Sequence, residues 1–88
     1  MSIPIRFDWY DAQGNLLVAN RGCFTISHGQ EPGDLDLLGR RLAECAMEDH
    51  RRFIHPEVKY VVPHSAPDYM FDLADPLAIL PNRLKEKT

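Results

Sequence analysis

Glu57 and Lys59 stand two apart where a stretch that reads as a strand, Val58 to Val62, begins. Two residues apart on a strand place both side chains on one face. A carboxylate there could hold a divalent cation, and the lysine could assist a water in attack on a phosphodiester. With Asp49 and a histidine, the set would amount to a minimal metal-dependent hydrolase. The other chemistry-bearing residues are less organised. His28, His50, His55 and His64 include no pair four apart on a helix, and no HExxH or CxxC…H pattern occurs, so no metal is expected. Cys23 and Cys45 form no CxxC pair, and read as two buried or half-buried thiols in a reducing compartment. Ser27 and Ser65 lie outside any G-x-S-x-G turn. No catalytic residue and no cofactor is expected from these patterns.

The E-x-K triplet resembles half of a PD-(D/E)xK nuclease site, but the chain is short for that type of core. Phosphate binding ahead of the helix is disfavoured. Gly29 and Gly33 belong to no GxGxxG or GxxxxGK[ST] pattern, and Glu31, Asp34 and Asp36 would repel a phosphate there. Nucleic acid is a weak candidate too. Arg40, Arg41, Arg51 and Arg52 cluster on one helix face at about 100° per residue. Glu44 and Glu48 share that face, and the spacings Arg40–Glu44 and Glu48–Arg52 predict ion pairs. The net charge of −3 points the same way. A small dimeric nucleic-acid-binding regulator therefore stands as an alternative, below direct protein binding.

Two features ask for more than a bland reading. Asp49 projects onto the apolar stripe of the helix, where a carboxylate needs a partner. Between Pro67 and Leu80, Asp68, Asp72 and Asp75 alternate with Tyr69, Met70, Phe71 and Leu73. Aromatic and Met side chains anchor interfaces, and carboxylates among them would steer a basic partner. The expected binding residues are Asp68, Tyr69, Met70, Phe71, Asp72 and Asp75, joined by Glu31 if the loops meet. The same segment would also serve simply to cover a sheet edge.

The elements that position these residues follow from periodicity. Ile3, Ile5, Phe7 and Trp9 alternate with Pro4, Arg6, Asp8 and Tyr10, which predicts a half-buried strand. Asp11 to Asn15, with Gly14, predicts a hairpin turn. The return strand runs from Leu16 to Ser27 as one long bent strand with a bulge at Gly22. Asp34 is the expected N-cap of an amphipathic helix from about Asp34 to about Arg52, with Leu35, Leu38, Leu42, Cys45, Ala46 and Phe53 on its apolar stripe. Val58 to Val62 is a strand, Asp68 to Leu73 an edge strand, and Asp75 to Leu80 a short helical turn with Pro76 at its first position. Residues 82–88 read as a frayed tail. The fold class is α+β: a small antiparallel sheet in ββαβ order, with an extra edge strand, packed on one helix.

Eighty-eight residues make a single domain with a modest core, so homodimerisation would be a natural supplement. No signal peptide and no apolar run of transmembrane length is present, which gives a cytoplasmic expectation and no membrane partner. In size, acidity and strand–strand–helix–strand order the chain is similar to the small anti-CRISPR and other anti-defence proteins of phages and mobile elements. This is a resemblance of type, carried by no motif. It implies a non-enzymatic inhibitor that masks a surface of a larger complex, such as a basic nucleoprotein surface.

Overall fold

A computed structural model describes residues 2–45 and 56–84. The chain runs β1 (Ser2–Tyr10), β2 (Leu16–Ser27), α1 (Leu35–Glu44), β3 (Tyr60–Pro63), β4 (Tyr69–Asp72) and β5 (Asp75–Pro81). The strands form one antiparallel sheet in the order β2-β1-β3-β4-β5. The helix packs across one face, so the α+β class expected from the periodicities is the one observed.

The alternation in β1 sets the two faces. Ile5, Phe7 and Trp9 are buried on the helix side. There they join Phe24, Ile26, Leu38, Leu42, Val61 and Phe71 in the main core. Phe7 meets Trp9 edge-on at 5.7 Å between ring centroids and Phe24 at 5.6 Å. The opposite face carries a smaller cluster of Val62, Met70 and Leu84, flanked by Tyr10, Tyr60 and Leu80.

The β1–β2 turn is held by Asp11, whose carboxylate accepts hydrogen bonds from the Gln13 and Asn15 amides and from Asn15 Nδ2 at 2.8–3.1 Å. Gly14 takes a φ of 84°, open to glycine at little cost. These amide bonds, Asn15 first, hold the Asp11 carboxyl below the usual carboxylate range. Its folded pKa thus lies below its unfolded one. The stabilisation is complete above the unfolded pKa, about 3.9, and is lost as pH falls through the folded value. Asp11→Asn should therefore lower the urea midpoint at neutral pH. Its deficit relative to the wild type should shrink toward zero as both are titrated into acid. A deficit independent of pH would show that geometry alone, and not the charge, carries the turn.

Strand β2 is the long bent strand expected. Its register against β1 shifts where Ile5 faces Phe24 but Arg6 faces Gly22, leaving Cys23 as the extra residue. A second shift lies near Asn20, which has a φ of 56°. Asp8 Oδ1 accepts from the Asn20 amide at 2.9 Å, and Arg6 donates to the Asn20 carbonyl at 2.9 Å. Repeated bulges bend this edge and make it a poor template for a further strand.

In α1, Asp34 is the N-cap as expected and accepts from the Leu37 amide at 3.2 Å. Leu37, Leu38, Gly39 and Leu42 are buried, while Leu35 and Cys45 are half-buried. The described helix ends at Glu44 with Cys45 as C-cap. The expected continuation to Arg52, including Asp49 and the Glu48–Arg52 pair, lies outside the described residues. The Arg40–Glu44 pair is replaced: Glu44 bonds Arg41 at 2.9 Å, and Arg40 Nε donates to the Asp36 carbonyl at 3.4 Å. The i,i+3 partner reaches Glu44 while Arg41 also spans to β2.

The C-terminal third differs most from expectation. Residues 68–73 were expected to form an edge strand, but β4 lies inside the sheet between β3 and β5. Residues 75–80 were expected to form a helical turn and are instead the edge strand β5. Pairing of Tyr69 to Phe71 with Ile79 to Pro81 gives the backbone partners that a single helical turn could not. An edge strand also tolerates Pro76 and Pro81, which have no N–H to donate. Beyond β5, Asn82 donates to the Pro67 carbonyl and accepts from the Leu84 amide. Leu84 is buried, so the segment expected to fray is packed at least to residue 84.

Candidate functional site

Strand alternation and the helix position decide which of the expected binding residues can meet a partner. Phe71 is fully buried in the main core and Met70 is buried in the opposite-face cluster. Both therefore serve packing. Asp72 is half-buried, and its Oδ1 accepts from the Ala74 amide at 2.9 Å, shaping the β4–β5 turn. Asp68, Tyr69, Asp75 and Glu31 are exposed.

Tyr69 lies on the helix side of β4 but beyond the cover of α1, and is 42% exposed. Across the ladder Tyr69 pairs with Pro81 and Phe71 with Ile79, so Ile79 sits diagonal to Tyr69 on the same face. Ile79 is 38% exposed. The register then breaks after Phe71, where Asp72 faces Asp75, and the first part of β5 rises against the helix. Leu77, 63% exposed, lines a hollow of about 300 Å³ with Leu35, Asp36, Gly39 and Arg40. Tyr69, Leu77 and Ile79 thus occupy one edge of the helix-side face. Leu16, the remaining large apolar residue exposed among the described residues, lies at the start of β2.

Carboxylates rim this edge. Asp36 borders the Leu77 hollow, Asp75 opens β5 and Asp68 precedes Tyr69. The loop before the helix also comes close, since a Cβ on Gly33 would stand 4.0 Å from the Ser65 carbonyl oxygen. That places the Glu31–Asp34 loop beside the turn leading to Asp68 and Tyr69. Arg40 is the basic exception.

The catalytic candidates are not assembled in this way. Glu57 is exposed and precedes β3, whereas Lys59 is half-buried with its Nζ 5.5 Å from the Tyr60 ring centroid. Asp49, His50 and His55 lie outside the described residues. Among the described residues, no three His, Cys, Asp or Glu side chains converge to hold a metal ion.

His64 Nε2 and Asp8 Oδ1 are 2.7 Å apart on the other face of the sheet. The pair ties β1 to the end of β3, where the His64 amide also donates to the Arg6 carbonyl at 2.9 Å. Nearby Tyr10 is raised from the ordinary phenol range, by burial first and then by the Asp8 charge. A cleft of about 370 Å³ beside this face is floored by Met70, Leu80 and Leu84, with Asp72 and Arg83 at its margin.

Two arrangements escaped sequence reasoning. Leu77 and Ile79 read as part of a helical turn, because the unbroken apolar run from Leu77 to Leu80 shows no alternation that would announce a strand. Cys23 and Cys45 are 22 positions apart, yet both pack against the same core cluster and Cys45 acts on the Cys23 thiol, which no local pattern announces. No protein-family model matches the chain, and neither a curated protein nor a solved structure shows significant similarity to it. No helix among the described residues is long and apolar enough to cross a membrane.

Proposed function

We propose that this chain is a non-enzymatic binding protein that masks a surface of a larger protein partner through the acid-rimmed apolar edge of β4 and β5. The observation that carries this reading is the gathering of Tyr69, Leu77 and Ile79 on one edge, with α1 beside them and carboxylates around them. A large apolar side chain exposed singly needs no explanation, but contiguous ones rimmed by polar groups mark interaction sites. Tyr69 is the type of residue that anchors an interface, with an apolar ring and a polar tip. Asp36, Asp68, Asp75 and Glu31 suit a partner with an apolar centre and a Lys/Arg rim. They would speed encounter and set orientation more than they add affinity.

The test is affinity capture from lysate of the source cells with the wild type and with the triple variant Tyr69→Ser/Leu77→Ser/Ile79→Ser. All three side chains are exposed, so the variant should melt within a few degrees of the wild type. A stoichiometric partner retained by the wild type should be lost with the variant, and each anchor should contribute roughly 30-fold in Kd. Equal capture by both proteins, or no stoichiometric partner, would refute the reading. A wild-type dimer in sedimentation at high concentration that the variant abolishes would reassign the edge to self-association.

A further inference from the structure

Cys23 is the extra residue of the bulge in β2, and Cys45 caps the C-terminus of α1. The last helical turn lies against this part of the strand. Arg41, one turn before Cys45, donates to the Thr25 carbonyl at 3.3 Å, and its guanidinium sits 5.5 Å from the Phe24 ring centroid. Both cysteines are half-buried and pack against the same core cluster. Cys45 and Arg41 both stand near enough to act on the Cys23 thiol. Both are partly exposed, so a small reagent can reach them.

We propose that Cys23 and Cys45 form a thiol–disulfide exchange site that closes into an intramolecular disulfide at the expense of a small disulfide of the glutathione class. Burial first, then the Cys45 charge and hydrogen bond, push the Cys23 thiol up to about 12, and Arg41 only partly offsets them. A thiolate of the pair forms a bond to one glutathione sulfur and expels the other glutathione as a thiolate, which takes up a proton. The second cysteine of the pair then attacks the protein sulfur of that mixed disulfide, gives its proton to solvent, and releases the second glutathione thiolate, which is protonated in turn. Two protein thiols are oxidised and one disulfide is reduced to two thiols. The new bond ties the helix C-terminus to β2 and encloses the chain from Cys23 to Cys45. This site is independent of the apolar edge on β4 and β5.

The experiment uses wild-type protein equilibrated in glutathione buffers of stepped reduced-to-oxidised ratio, acid-quenched, alkylated with iodoacetamide and weighed intact. Both alkylatable thiols should disappear together as the buffer becomes oxidising. The product should be a monomer lighter by about 2 Da than the reduced chain, formed in a two-electron transition. The oxidised form should melt on the order of 10 °C higher. Cys23→Ser and Cys45→Ser should each stop at a glutathione adduct. Glutathione adducts accumulating on both wild-type thiols would overturn the proposal. So would disulfide-linked dimers, or two thiols still alkylated in fully oxidised buffer.

Discussion

Trp9→Ala should remove most of the stability of this domain. Trp9 is the single tryptophan of the chain and is 0% exposed. It sits in β1, which pairs with both β2 and β3, opposite Val18 on one side and Val61 on the other. Its ring meets Phe7 edge-on, and its Nε1–H donates to the Arg21 carbonyl at 3.2 Å, across the irregular part of β2. Truncation of such a side chain typically costs about 3–5 kcal/mol, as lost transfer energy plus the cavity left behind. An 88-residue domain is stable by roughly 4–13 kcal/mol in all. At about 4–8 °C per kcal/mol for a domain of this size, the melting temperature should fall on the order of 20 °C. Circular dichroism is the readout, because the variant has no tryptophan fluorescence. Trp9→Phe separates the two contributions: it keeps most of the apolar volume but leaves the Arg21 carbonyl without its donor, and should cost only about 1–2 kcal/mol. A Trp9→Ala loss below about 1 kcal/mol would mean that the centre of β1 is not where the core is built.

Where a signal was local, it could be read directly. The period-two run from Ile3 to Trp9, the Asp11–Gly14 turn and the Asp34 cap each rest on residues within a few positions of one another. Each appears in the structure as its chemistry requires. What could not be read depends on partners distant in sequence. Asp75-Pro76 is a sound helix start in isolation. Only the neighbouring β4 strand, with its free edge, makes an extended chain the better answer. The binding segment shows the same limit. Its composition of acids and aromatics was visible, but Tyr69 and Phe71 share a face and still differ fully in exposure, because α1 covers one and not the other. Met70 faces the opposite side and is covered by Leu84. The surface therefore gains Leu77 and Ile79 and loses Met70 and Phe71. Only the register and the reach of the helix, both tertiary facts, decide that exchange.

Gly39→Ala sets a local rule directly against a tertiary one. Gly39 lies in the middle of α1, where replacing glycine with alanine should by propensity alone stabilise the helix by about 1 kcal/mol. The packing predicts the opposite sign. A Cβ at this position would stand 2.5 Å from the Pro76 carbonyl oxygen and 3.3 Å from Phe71 Cε1. The first is a backbone atom of β5, so no side-chain rotation relieves it. The helix must lift from the strand, or β5 must move from the helix, along the whole of their contact. Inserting one methyl into such a place costs about 1–3 kcal/mol, and here the obstacle is at the rigid end of that range. The net effect should be a loss of about 1–2 kcal/mol, seen as a melting temperature lower by about 4–16 °C. The exposed position Ala43, one turn further on, supplies the control. Ala43→Gly should also destabilise, by about 1 kcal/mol, through propensity alone. Two substitutions of opposite chemistry would then act in the same direction, which propensity cannot produce. A stabilised Gly39→Ala variant would instead show that α1 does not approach β5 this closely. The wall of the proposed docking edge would then be lost, because Leu77 reaches Leu35 and Asp36 only where helix and strand are in this contact.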